Sequence, residues 1–121
     1  KGAKGARILF KALKEGKTLG ILVDQKMNDG IPVPFFGRDA MTAPALAELA
    51  LRYNCPVIPA HVIRLKGATF KVVVEEPLSI EKTGDKKRDV AALMLQVNRR
   101  MEDWVRDHPE QWLWVHNRWP K

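Results

Sequence analysis

The order of apolar runs around one helical pattern constrains the fold of this chain more than any other feature. Leu19–Val23 and Val57–Ile63 are short runs typical of buried strands, and the first is apolar on both faces, as in a covered parallel sheet. Between them a helical pattern begins at the potential N-cap Thr42 and ends near Tyr53. A strand, a crossover helix and a second strand predict a parallel, right-handed βαβ unit.

The remaining segments predict flanking helices and one more strand. Ala3–Glu15 carries an amphipathic helical pattern, and Thr69–Val74 is rich in β-branched residues typical of strands. Asp85 is placed to cap a long amphipathic helix that runs to about Asp107 and is ended by Pro109. The predicted fold class is α/β, a partial mixed sheet with a βαβ crossover and flanking helices.

Composition narrows the possible partners. The 121 residues suffice for one domain, and the formal net charge of +7 favours anionic partners such as phosphorylated lipids or nucleic acid. The single cysteine, Cys55, excludes an internal disulfide, and no apolar run is long enough to span a bilayer. Because the chain begins at Lys1 rather than Met, we expect it to be a piece of a longer protein.

The segment Asp24–Met41 carries the candidate site. It leaves a predicted strand at its carboxyl end, where ligands bind in open α/β sheets, and it is long for a connection. Carboxylate, amide and cationic side chains at this rim could hold an anionic polar group, and two adjacent phenylalanines suit an apolar one. The alternative is an ordinary connection with Asp24 in an Asx-turn. The predicted substrate-binding residues are Asp24, Gln25, Lys26, Phe35, Phe36, Gly37 and Arg38.

Several other site classes find no support in the sequence. The histidines lack zinc-ligand spacing, so no metal site is predicted, and glycine-rich nucleotide-binding loops are absent. The basic run at residues 86–88 is typical of a solvated helix start but could face an anionic surface. Trp112, Trp114 and Trp119 near the end of the chain could pack on the sheet, lie at a membrane interface or line a cleft.

Three sequence blocks together resemble one known family. The segments "GARILFKALKEGKTLGILVDQ", "PVPFFGRDAMTAPALAELALRYNCPVIPAHV" and "HPEQWLWVHNRW" follow one another in the order and spacing of the bacterial lipid A late acyltransferases, the lauroyl/myristoyl enzymes of the lysophospholipid acyltransferase superfamily. The resemblance covers nearly the whole chain. It implies that residues 1–121 are the C-terminal part of a single domain with a glycerolipid-acyltransferase-like fold.

The resemblance also implies a reaction and a place for it. Such enzymes act at the cytoplasmic face of the bacterial inner membrane, where they move a fatty acyl chain from acyl carrier protein or acyl-coenzyme A to a hydroxyl of a lipid A precursor. The implied partners are therefore the precursor, the acyl donor and the anionic membrane surface. No cofactor and no nucleic acid is expected.

The family's catalytic dyad is a histidine followed five positions later by an acid, with the histidine acting as base. Residues 66, 113 and 121 stand five positions after the three histidines, and they are Lys, Leu and Lys. We therefore expect the dyad upstream of this chain and predict no catalytic residue within it. The family's acidic strand end falls on Asp24, and its aromatic-glycine pair falls on Phe36-Gly37, which places acceptor binding here.

Two other readings of the residues stay open. A basic nucleic-acid-binding module would interleave aromatic and basic residues on one surface, whereas here the basic residues are scattered and the tryptophans cluster at one end. A peripheral membrane-binding module without chemistry would bind anionic vesicles equally well after the Asp24 loop is neutralised.

Overall fold

A computed structural model describes residues 3–120; residues 1, 2 and 121, the ends of the predicted domain, lie outside the described part. Within residues 3–120 the chain forms three α-helices and two separate two-stranded antiparallel sheets, which confirms the α/β class. In chain order the elements are α1 (Ala3–Lys14), β1 (Ile31–Phe35), β2 (Arg38–Thr42), α2 (Ala45–Tyr53), β3 (Ala60–Arg64), β4 (Phe70–Val74), α3 (Lys86–Asp107) and a 3₁₀ turn (Pro109–Gln111).

Helix α3 forms as its sequence predicts. The Asp85 carboxylate accepts a hydrogen bond from the Arg88 backbone N–H at 3.2 Å, which satisfies one donor of the first turn. The helix ends at Asp107, two residues before Pro109. Its buried stripe packs on β1 and α2, and this contact forms the core. The stripe consists of Val90, Leu93, Met94, Val97, Met101 and Val105, with Asp89 and Asn98 as buried polar members.

The segment predicted as a long loop contains the β1–β2 hairpin. Val33 and Phe35 face the core from β1, while Pro32 and Pro34 alternate with them on the exposed face. Both strands are edges of a two-stranded sheet, where proline's missing N–H is tolerated. Thr42 ends β2 and is buried, so the prediction that its side chain caps α2 is wrong; Pro44 takes the N-cap position without a side-chain hydrogen bond.

The predicted βαβ crossover is not formed. Within residues 3–120, Leu19–Val23 pairs with no strand, and β3 pairs with β4 in antiparallel register through the Lys66-Gly67 turn. β3 begins at Ala60, later than the predicted Val57, although the Leu78 N–H donates to the Val57 carbonyl at 2.9 Å. The mixed sheet is thus replaced by two local hairpins, because each strand finds its partner across a short turn.

Candidate active-site region

The tip of the β1–β2 hairpin is a two-residue turn, with Phe35 opposite Arg38. Both central residues have positive φ, 50° at Phe36 and 74° at Gly37, which is the pattern of the turns that match strand twist. A bulky aromatic residue rarely adopts this conformation. Phe36 is held there by its N–H, which donates to Glu102 Oε1 at 2.7 Å, and by Arg106, whose guanidinium lies 5.0 Å from the ring centroid.

Phe35 is the centre of an aromatic cluster rather than a surface residue. Its side chain is fully buried, with the Trp119 ring stacked at 5.7 Å and the Trp112 and Phe36 rings edge-on. Trp119 also donates from Nε1 to the Phe35 carbonyl at 3.0 Å. The ring therefore contacts protein on its faces and edges, and contact between Phe35 and an acyl chain would require this cluster to open.

Arg118 lies beneath the hairpin as a fully buried cation. Its Nη2 donates to Thr42 Oγ1 and to Asn98 Oδ1, both at 3.1 Å, and its guanidinium carbon lies 4.3 Å from the centroid of the Phe35 ring. Its Nε and Nη1 have no hydrogen-bond partner within the described residues. Burial lowers the pKa of Arg118, and the Asp24 carboxylate offsets part of that shift by raising it.

The loop that carries Asp24, Gln25 and Lys26 rests on the far end of β2. The Met27 N–H donates to the Met41 carbonyl at 3.4 Å, and a Cβ on Gly30 would stand only 2.4 Å from the Thr42 carbonyl oxygen. Asp24 and Lys26 are half-buried and Gln25 is exposed. In the described part of the chain, the side chains of these three residues form no hydrogen bond or ion pair with protein, so their polar atoms are free to meet a ligand.

The predicted substrate-binding residues therefore form two groups. Phe35, Phe36, Gly37 and Arg38 surround the hairpin tip, whereas Asp24 to Lys26 lie by its other end. Arg38 and Met41 are three positions apart on β2, which separates the two groups by about 10 Å at strand spacing. The residues of each group lie near one another, but the two groups lie at opposite ends of the hairpin.

A groove of about 780 Å³ opens beside the Asp24 loop. It lies between α1, the segment that precedes Asp24, α2 and the segment that precedes β3, and it is mainly apolar. Gly20 lines it, and a Cβ at this position would meet no atom within 4 Å. Its larger apolar lining residues are Leu13, Leu19, Ile21, Leu22, Leu46, Leu49, Val57 and Ile58. An apolar groove with a polar loop at one end suits an amphipathic ligand.

A comparison with protein families identifies the family of this chain. The family model of the bacterial lipid A biosynthesis acyltransferases matches residues 2–121. The chain belongs to that family. A comparison with curated proteins finds no match. The match confirms the family resemblance of the three sequence blocks and supports an acyltransferase function of the lipid A type.

In this acyltransferase-family chain, His61 packs against an aromatic residue. The His61 ring stacks on Trp104 at 4.4 Å, and Trp104 donates from Nε1 to Glu75 at 2.8 Å. Burial lowers the pKa of His61 against an opposing effect of Glu75, and the His61 Nδ1 is without a partner among the described residues.

The described residues contain no group of three or more His, Cys, Asp or Glu side chains that could hold a metal ion. They also include no helix that is long and apolar enough to cross a bilayer.

Sequence reasoning missed the polar core that supports the acyltransferase-family site. Asn98 interrupts the apolar stripe of α3, and Arg118 stands between aromatic residues near the chain end; each is a polar residue in an apolar pattern. That departure from the pattern is the signal that could have identified both as buried, hydrogen-bonded residues. Glu102 and Arg106, which hold the hairpin tip, carried no comparable signal because exposed charged residues are common on helices.

Proposed function

We propose that the parent protein transfers a fatty acyl chain from acyl carrier protein or acyl-coenzyme A to a hydroxyl of a lipid A precursor. The observation that carries this proposal is the family match over residues 2–121. The segment described above would supply acceptor-binding and structural parts, with the reaction taking place at the cytoplasmic face of the inner membrane.

The chemistry requires a base and a route for the leaving group. The acceptor hydroxyl loses its proton to the base and attacks the thioester carbonyl; the new ester forms as the thiolate leaves and takes up a proton. No histidine of residues 1–121 has an acid five positions on, so we assign the base to a histidine outside this segment. The segment alone is then expected to be inactive.

The polar loop and the hairpin tip suit a phosphorylated acceptor. Lys26 and Arg38 present cations at two ends of the hairpin, and Arg can bind a phosphate with two parallel hydrogen bonds. Arg38 and Met41, on which the Lys26 loop rests, lie roughly 10 Å apart along β2, a separation that suits two polar groups of one extended headgroup. The net charge of +7 favours the anionic membrane surface on which such an acceptor lies.

The groove beside Asp24 suits an acyl chain. Its volume of about 780 Å³ lies within the range of roughly 300–1,000 Å³ that is typical of ligand pockets. Each methylene buried there contributes about 0.8 kcal/mol. Binding the chain here would place its polar end near Asp24, on the side where the loop leaves the groove.

The acceptor part of the proposal is tested with Arg38→Ala in the full-length protein. We expect the acceptor KM to rise about tenfold, in line with loss of one hydrogen bond to a charged group, while the donor KM stays the same. Arg99→Ala, at an exposed position of α3, is the matched control. An unchanged acceptor KM would remove Arg38 from the acceptor site.

The acyl-chain part is tested with Gly20→Leu, because Gly20 lines the groove and a Cβ at this position meets no atom within 4 Å. We expect the preferred donor to become shorter by a few methylenes, as a leucine side chain takes up part of the groove. Ala91→Leu, on the exposed face of α3, adds the same bulk elsewhere. A chain-length profile that matches the control would show that acyl chains bind elsewhere.

A further inference from the structure

The guanidinium of Arg118 has more hydrogen-bond donors than the neighbouring protein groups accept from. The residue is 0% exposed, and only its Nη2 binds protein, through Thr42 and Asn98, which are buried with it. Nε and Nη1 have no partner within the described residues. Burying donors of a cation without partners is costly, so a purely structural role does not explain an arginine at this position.

Asp24 is the carboxylate that acts on this cation. No carboxylate in the described part of the chain lies within 4.0 Å of Arg118, yet the Asp24 charge raises the pKa of the guanidinium. Asp24 is half-buried and forms no hydrogen bond with protein in residues 3–120. The partly unused donor edge of Arg118 and the free carboxylate of Asp24 are therefore complementary in charge and in hydrogen-bonding capacity.

Backbone contacts place the two residues in one continuous layer. The Met41 N–H donates to the Arg118 carbonyl at 2.9 Å, and the Met41 carbonyl in turn accepts from the Met27 N–H at 3.4 Å. Gly30 packs directly on the Thr42 backbone. The terminal segment, β2 and the Asp24 loop are thus joined in that order through the backbone of Met41.

We propose that Arg118 is a positioning residue for the acceptor site, acting on Asp24 from beneath the loop. Its Nε and Nη1 orient the Asp24 carboxylate through a bridging water, while Nη2 stays anchored on Thr42 and Asn98. Asp24 then presents its second oxygen to a hydroxyl of the acceptor, and Lys26 follows at a fixed position. This inference rests on the proposed function for its effect on the acceptor. The link between Arg118 and Asp24 rests on the unpartnered donors of Arg118, the backbone contacts through Met41 and the charge of Asp24.

The test is a double-mutant cycle in the full-length protein, with kinetics measured for acceptor and donor separately. Arg118→Met removes the charge and keeps the bulk, Arg118→Lys keeps the charge without the fork, and Asp24→Asn removes the partner charge. Loss of one charge-assisted contact predicts that Arg118→Met and Asp24→Asn each raise the acceptor KM about tenfold, with the donor KM unchanged. The double variant should be no more than about twofold worse than either single variant, because both remove one shared interaction. Arg118→Lys should recover part of the loss, and Arg99→Met is the matched control.

Two results would overturn the proposal. Effects that multiply in the double variant would show that Arg118 does not act through Asp24. A fall in kcat that tracks the loss of unfolding free energy, with both KM values unchanged, would make Arg118 a packing residue only. Should Arg118→Met fail to fold, Arg118→Lys completes the cycle with Asp24→Asn under the same criteria.

The same variants distinguish failure of this inference from failure of the proposed function. If the full-length protein transfers no acyl chain to a lipid A precursor, the proposed function is wrong. The double-mutant cycle is then measured with free energies of unfolding from equilibrium urea titrations. Non-additive losses of unfolding free energy for Arg118→Met and Asp24→Asn would still support the pairing, and additive losses would refute it.

Discussion

Asn98 offers the sharpest test of how the core beneath the hairpin is held together. Its side chain is fully buried on α3. The Oδ1 atom accepts from Arg118 Nη2 at 3.1 Å, and Nδ2 donates to the Pro34 carbonyl at 3.1 Å. One amide thus joins α3, β1 and the terminal segment. Asn98→Ala removes both bonds at once, together with the longer Nδ2 contacts to the Val33 carbonyl at 3.5 Å and to Thr42 Oγ1 at 3.4 Å.

The expected cost follows from the two bonds. A hydrogen bond to a charged group contributes about 1.5–3 kcal/mol and a neutral one about 1 kcal/mol, so Asn98→Ala should lower the free energy of unfolding by roughly 3 kcal/mol. With a urea slope of about 1.5 kcal/mol per M, the unfolding midpoint falls by about 2 M. Tryptophan fluorescence follows the transition, because Trp112 and Trp119 pack on the neighbouring Phe35 ring.

Two further variants separate hydrogen bonding from packing. Asn98→Leu fills the space but leaves Arg118 Nη2 with Thr42 alone, so it should cost as much as Asn98→Ala. Combining Asn98→Leu with Arg118→Met removes both polar partners and should recover much of the loss, since apolar replacement of a whole buried polar pair is often tolerated. If Asn98→Leu alone restores stability, the loss came from packing and the hydrogen-bond reasoning is refuted. Arg99→Ala is the exposed neighbour control.

Three other predictions concern single positions. Gly30→Ala should destabilise the fold by about 2–3 kcal/mol, because the added Cβ meets the Thr42 backbone, which cannot move aside as a side chain could. A urea unfolding midpoint equal within error to that of the unsubstituted protein would contradict the close approach of Gly30 to Thr42. Burial lowers the pKa of His61, so the unfolded chain takes up a proton at a higher pH than the folded chain, and the free energy of unfolding should fall as the pH drops through about 6.5. The His61→Gln variant should show a flatter dependence over that window, and an identical slope would exclude His61 as the cause. Asp85→Ala should lower the free energy of unfolding by about 1 kcal/mol, because the Arg88 N–H loses its cap. Asp85→Asn should keep most of that stability, since the asparagine oxygen can accept the same bond. Equal losses in both variants would exclude the cap as the source.

The helices were predicted well because their signals are local. The cap at Asp85 and the 3.6-residue period of α3 act within a few turns of the chain, and the structure places that helix at Lys86–Asp107. Gly16 ends α1 in the same way: it has a φ of 72°, and its N–H and that of Lys17 donate to carbonyls of the last turn. Local backbone geometry is encoded by neighbouring residues, so it needs no knowledge of distant ones.

The positions of β3 and β4 largely match the predicted strands Val57–Ile63 and Thr69–Val74, but the pairing of strands was predicted poorly because a strand requires a partner. Leu19–Val23 has a strand-like composition, but no segment of residues 3–120 offers it backbone donors and acceptors. Conversely, the segment predicted as a long loop contains β1, in which buried Val33 and Phe35 alternate with exposed Pro32 and Pro34 at the period of a strand. Pairing across the short turn at Phe36-Gly37 decided the outcome.

The sequence by itself determined the family, through three blocks that the family model matches as one stretch over residues 2–121, and it determined the helices and a basic, polar loop after an apolar run. Only the tertiary structure decided which polar residues are buried together. Arg118 follows Asp24 by 94 positions and Asn98 by 20, yet Arg118 bonds to Asn98 and its pKa responds to Asp24. The physical reason is that desolvated polar groups must find partners wherever the fold brings them, and that choice depends on long-range packing rather than on local pattern.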